Sequence, residues 1–174
     1  MSPADRAQHV EAMQGEIDKL LSNGYARWES LPPGEIALPS VGVFRIKQHD
    51  LHAGGYTLKA RFCANGQAVA TPPGGWDSTA KVASCSQILT VIAIAAQLNL
   101  QLSQIDVKSA FTQVKLRDDQ RIWVKPLPGL GDPERQGRVL RLVNHLYGHP
   151  LANAAFQERW VQLMEEFGFK VQGR

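Results

Sequence analysis

Two Pro-Pro-Gly interruptions, at Pro32 to Gly34 and Pro72 to Gly74, constrain this chain more than any other feature of its 174 residues. Proline lacks a backbone N–H and fixes φ, so neither segment sits inside a helix or a central strand. They divide the chain into three stretches of different periodicity. In the first, Ser2 has the place of an N-cap, Pro3 the first helical position and Asp5 the return arm of a capping box. Val10, Met13, Ile17, Leu20 and Leu21 recur at helical spacing until Asn23-Gly24 stops them, which predicts one amphipathic helix. The middle stretch has period two. Val41 to Gln48 and Tyr56 to Ala64 read as a hairpin whose turn lies within His49 to Gly55. On the return strand Tyr56, Leu58, Ala60 and Phe62 face one way, and Thr57, Lys59, Arg61 and Cys63 the other.

The third stretch mixes both periods. A helix capped around Asp77 to Thr79 carries Val82, Ile88, Leu89, Ile92, Ala95 and Ala96; it is apolar nearly all round and is therefore expected to be buried. After Asn99 the pattern becomes a short strand, Leu100 to Val107, that brings Leu102, Gln104 and Asp106 to one side. Ile122 to Val124 and Val139 to Leu142 read as further strands, with a loop from Pro126 to Gly131 after the first. Phe156, Trp160, Leu163, Met164 and Phe167 stripe a last helix, and Gly168 has the place of a left-handed cap. The expected class is α+β, one compact body without repeats.

Composition excludes several functions. With 44% hydrophobic and 20% charged residues the chain lies away from the disordered corner. Its longest mainly apolar stretch, Ile88 to Ala96, is far short of the roughly 20 residues of a bilayer span. The acidic N-terminus is no secretory signal, so the expected setting is intracellular, with no membrane partner. Cys63 and Cys85 lack zinc-site spacing and are expected to be free, buried thiols. A net charge of +3 favours a polyanionic partner only weakly.

Asp106 carries the chemical information. A carboxylate at a strand end can face solvent and hold a divalent cation, although taken alone such a residue is more often a turn or helix-cap residue. The run QIDVKSAF, Gln104 to Phe111, resembles the first catalytic motif of copia-type retrotransposon reverse transcriptases. The likeness extends in the family's order through EAMQGEIDKLLSNG from Glu11, LPPG at 31–34, VFRIK at 43–47, LKARF at 58–62, VKPLPG at 124–129 and LRLVNHLYG at 140–148.

That resemblance implies the fingers and an incomplete palm of a right-hand polymerase. Residues 1–174 would be the N-terminal part of the reverse transcriptase domain of a Pol polyprotein, which copies element RNA into DNA. It implies Asp106 as the first catalytic and metal-binding carboxylate, with the Val107 carbonyl as a neighbouring ligand for Mg2+. Phe111 would be the ring beneath the sugar that selects deoxynucleotides, Lys59 and Arg61 the triphosphate grip, and Ser109, Tyr147 and Gly148 parts of the nucleotide and template pocket. Each has a plainer alternative: a core ring for Phe111, a solvated hairpin face for Lys59 and Arg61, an inert small residue for Ser109, a tight turn for Tyr147-Gly148. The implied partners are RNA or DNA template-primer, deoxynucleotides, the rest of the palm, ribonuclease H and integrase, in a cytoplasmic virus-like particle or the nucleus.

The chain also departs from the family. After Tyr147-Gly148 it has His149-Pro150-Leu151-Ala152-Asn153, where basic residues are usual, and Asn65 precedes Gly66 where lysine is common. A second catalytic motif, Asp-Asp on a hydrophobic hairpin, is expected beyond Gly168. Asp118-Asp119 lies in a charged stretch without strand pattern and reads as solvated. The expectation is a polymerase segment that is not competent alone; the alternatives are a nucleic-acid-binding module without chemistry, or the relic of a decayed element.

Overall fold

The computed structural model describes residues 2–48, 56–68, 80, 82–130 and 137–170. The N-terminal helix α1 spans Pro3–Ser22 and starts as its sequence dictates: the Asp5 N–H donates to Ser2 Oγ at 3.1 Å, and the Ser2 N–H donates to the Asp5 carboxylate at 3.0 Å. Asn23 is its C-cap, and Gly24 takes the positive φ, 70°, that leads the chain away.

The strands form two sheets. One is four-stranded, in the order β1 (Ala26–Ser30), β6 (Arg138–Leu142), β5 (Trp123–Val124), β2 (Ala37–Leu38). β6 is antiparallel to β1 and β5, while β2 runs parallel to β5. The other is the expected hairpin, β3 (Ser40–Gln48) against β4 (Tyr56–Ala64); its turn lies outside the described residues. The second Pro-Pro-Gly segment and Asp77 to Thr79 lie outside them too.

α1 lies against β4 and β1, and the core forms there. Met13 and Ile17 are fully buried, Ala60, Phe62 and Ala64 meet them from the hairpin, and Val124, Leu140, Leu142 and Leu146 complete the cluster. Each large side chain so buried contributes roughly 1.5–3 kcal/mol relative to exposure. The polar face of β4 therefore points outward because its apolar face is held by α1.

Two expectations fail in the third stretch. Helix α2 begins at Cys85, not near Asp77, and runs to Gln97; Ser84 is its N-cap in a capping box with Gln87, and Val82 precedes the helix. It is exposed rather than buried: Ile88 is 50% exposed, Leu89 64% and Val91 57%, and only Ala95 is covered. No described element packs along it. Residues 100–107 form no strand, since no described segment offers them the backbone hydrogen bonds that define one. Leu100, Leu102 and Ile105 are exposed as well.

Helix α3 spans Ala152–Glu166 and ends as expected, with Gly168 at φ 86°. Cys63 and Cys85 are free, but Cys63 is half-buried and Cys85 exposed, because the helix that carries Cys85 is itself uncovered. Asp118 and Asp119 are solvated. No described helix is long and apolar enough to cross a membrane.

Candidate functional site

The hairpin register settles which side chains share a face. Directly opposite partners in an antiparallel pair lie on the same side. Lys59 faces Arg45, and Arg61 faces Val43, so Arg45, Lys59 and Arg61 gather on the outer face while Leu58, Ala60 and Phe62 turn inward. Both expected cations are exposed and on one face. Arg45 joins them from β3, where alternation with Val43 and Lys47 already sets it on one face. Like charges directly across a ladder destabilise it, so an anion bound on this face would relieve an unfavourable pair.

The outer face leads to Tyr147. The Arg61 guanidinium carbon lies 5.6 Å from the Tyr147 ring centroid, a cation–π contact. Phe111 meets the same ring edge-on at 5.0 Å and Phe156 at 6.1 Å, and Phe156 stacks with Trp160. Phe111 lies in a 3-10 turn, Ala110–Gln113, that follows Ser109. Ser109 has φ 53°, a left-handed conformation costly for a residue with a Cβ. Burial raises the Tyr147 phenol above its usual range, opposed by Arg61 and by a hydrogen bond with Ser109. Tyr147 is thus a neutral phenol at physiological pH, fixed by partners from three segments.

A backbone contact holds this arrangement. The Ala64 N–H donates to the Tyr147 carbonyl at 2.8 Å. A Cβ on Gly148, whose φ is 82°, would lie 2.1 Å from the Ala64 oxygen, and one on Gly66 would lie 2.1 Å from the Gly148 oxygen. Glycine at both positions lets the root of the hairpin and the Leu146-Tyr147-Gly148 turn touch main chain to main chain. Beneath the turn, His145 and His149 are buried with ring centroids 6.0 Å apart.

Asp106 is exposed in the irregular segment before Ser109, and Val107 is half-buried beside it. Among the described residues there is no group of three His, Cys, Asp or Glu side chains that could hold a metal ion. Mg2+ demands a near-octahedral oxygen shell, with carboxylates supplementing waters and substrate phosphates. One carboxylate and one carbonyl do not hold a pair of such ions by themselves. The structure therefore brings Arg61, Phe111, Ser109, Tyr147 and Gly148 together, sets Lys59 on the adjoining face, and leaves Asp106 outside any group of three metal-ligating side chains among the described residues.

Comparison with known proteins gives this cluster its context. The family model described as reverse transcriptase (RNA-dependent DNA polymerase) matches residues 25–173. The chain is 28% identical over 148 residues to the retrovirus-related Pol polyprotein from transposon TNT 1-94 of Nicotiana tabacum, which covers 85% of this chain and 11% of the tobacco protein. It is 24% identical over 162 residues to the transposon Ty1-BL Gag-Pol polyprotein of Saccharomyces cerevisiae, covering 88% of this chain and 8% of the yeast protein. It thus spans about a tenth of the length of these relatives. No solved structure matches. The matched span contains the whole cluster from Arg61 to Tyr147, and the chain belongs to the reverse transcriptase (RNA-dependent DNA polymerase) family as a copia-type segment.

Proposed function

We propose that this chain is the fingers and part of the palm of an RNA-directed DNA polymerase in a retrotransposon Pol polyprotein, and that the Arg61–Tyr147–Phe111 cluster faces the incoming deoxynucleotide. The observation that carries the reading is the meeting, in one cluster, of a cation from the hairpin, a ring from the turn after β6 and a ring five residues beyond Asp106. In this reading Lys59 and Arg61 take the triphosphate, for which an Arg fork and a Lys point charge are well suited. Phe111 lies under the sugar, with Ser109 and Gly148 shaping the pocket around Tyr147. Asp106 and the Val107 carbonyl are this chain's contribution to a Mg2+ site that needs further carboxylates.

The exposed apolar face of α2 and residues 98–105 supports the assignment to part of a larger palm, because apolar surface on this scale is normally covered. The partners follow from the same reading: RNA or DNA template-primer, deoxynucleotides, the rest of the palm, and ribonuclease H and integrase as polyprotein neighbours. Its setting would be a virus-like particle or the nucleus.

Primer extension on an RNA template by the polyprotein's polymerase tests this. Asp106→Asn is expected to abolish synthesis, and Phe111→Ala to relax discrimination against ribonucleotides while extension continues. Undiminished synthesis by the Asp106→Asn form would refute the assignment.

A further inference from the structure

Between the loop 114–120 and α3 lies a solvent-open cleft of about 510 Å³. It belongs to a different flank of α3 from the aromatic cluster. Leu151, Ala155, Glu158 and Gln162 line it at helical spacing, whereas Phe156 and Trp160 project elsewhere. The opposite wall is rigid: the Leu116 N–H donates to the Val143 carbonyl and the His145 N–H to the Val114 carbonyl, both at 2.9 Å, around a bridge between Lys115 and Asn144.

Three cations reach this cleft. Arg117 pairs with Asp119 at 3.5 Å and Arg159 with Glu166 at 3.1 Å, both exposed, while Lys115 has no ionic partner among the described residues. Glu158 is the one carboxylate of the lining. His145 also lines the cleft, is 3% exposed, and leaves Nδ1 without a hydrogen-bond partner. A buried polar atom without a partner is costly unless a ligand or water completes it. The first turn of α3 adds the positive end of its dipole, and its N-cap residue, Leu151, supplies no side-chain acceptor.

We propose that this cleft is a second phosphate-binding site, one that holds the backbone of a single nucleic-acid strand. The choice of a strand over a free anion rests on the reverse transcriptase reading and on the opening of the cleft to solvent, since an open site admits a polymer that an enclosed one would exclude. Glu158 repels a phosphate set beside it, which puts the anion at the Lys115–Arg117 end. Val114, Leu151 and Ala154 offer apolar surface to the sugar and base.

The test is fluorescence anisotropy of a labelled single-stranded oligonucleotide of about 20 nucleotides with the whole chain. The Lys115→Gln/Arg117→Gln pair is expected to bind about three- to tenfold more weakly, with a salt dependence shallower by about 0.7 for each phosphate that is no longer neutralised. Lys125→Gln/Arg138→Gln removes the same charge from exposed residues outside the cleft and is expected to change little. The oligonucleotide should also shift the His145 ring resonances. Equal weakening by the two pairs would overturn the proposal. If Lys59→Gln/Arg61→Gln then weakened binding more than either pair, the polymerase reading would stand without the cleft. A His145 shift with inorganic phosphate but not with the oligonucleotide would overturn the strand assignment, and no oligonucleotide binding at all would overturn both.

Discussion

Acidification between pH 7 and pH 4 is expected to destabilise the fold through the two histidines beneath the Tyr147-Gly148 turn. His149 is 7% exposed, and burial, with a smaller contribution from His145, lowers its pKa from 6.5 to about 4. Its Nδ1 accepts the Leu151 N–H at 3.3 Å at the start of α3, so a proton there would set a donor against a donor at the positive end of the helix. The unfolded chain binds this proton below pH 6.5, while the folded chain refuses it until about pH 4. Stability is thus fully present above the unfolded pKa and is lost as pH falls towards the folded one. The gap corresponds to roughly 3 kcal/mol at about 1.4 kcal/mol per pH unit, a large share of a typical domain's stability. His145 is shifted in the same direction, by burial and then by Arg117, and adds to the loss. Urea midpoints at pH 7, 6, 5 and 4 should follow this course. His149→Asn keeps an acceptor for the Leu151 N–H but cannot titrate, so it should flatten the profile. The same pH slope in the variant, or a measured His149 pKa near 6.5 in the folded protein, would refute the reasoning.

Three further outcomes follow from packing. Gly148→Ala combines a Cβ 2.1 Å from the Ala64 oxygen with a positive φ, and is expected to cost about 2–4 kcal/mol in denaturant unfolding; a loss under about 0.5 kcal/mol would mean that the close approach is not maintained. Asn144→Ala removes the 2.7 Å bond from Nδ2 to the buried Thr112 carbonyl, and should cost about 1–3 kcal/mol by the same measurement. Ile88→Glu with Leu89→Lys on α2 should leave the unfolding free energy of the isolated chain within about 0.5 kcal/mol and reduce binding of an apolar dye; strong destabilisation would show that α2 is covered in solution.

Local rules are legible wherever the chain supplies both halves of an interaction. Ser2 and Asp5 satisfy one another within a single turn, and the alternation of β4 needs only α1 to decide which face goes inward. The failures share the opposite property. Apolar residues on every side of α2 specify the environment that the helix requires, and periodicity contains no information on which segment provides it. Leu100 to Val107 has strand composition, but a strand exists only with a partner's backbone groups opposite. β1 is invisible to periodicity because Ala26–Ser30 alternates weakly and owes its state to pairing with β6, distant in sequence. At the candidate site the cations of β4 are legible from alternation alone. The face of Arg45 on its own strand is legible too, but its place opposite Lys59 becomes visible only through the register, and the contact of Arg61 with Tyr147 only through the fold.

The main-chain contact at Gly66 and Gly148, together with α1 against Ala60 and Phe62, clamps the inner half of the hairpin and leaves the outer half of its described strands a cantilever. A beam clamped at one end is stiffest near the clamp, and its deflection grows towards the free end. At about 3.4 Å per residue, Arg61 lies roughly 10 Å from the clamped Ala64, while Tyr56, at the far end of β4, lies roughly 27 Å away. A disturbance at the outer ends of β3 and β4 therefore reaches the Arg61 guanidinium over Tyr147 least of all, and a substitution there does not detune the cation at the base of the hairpin.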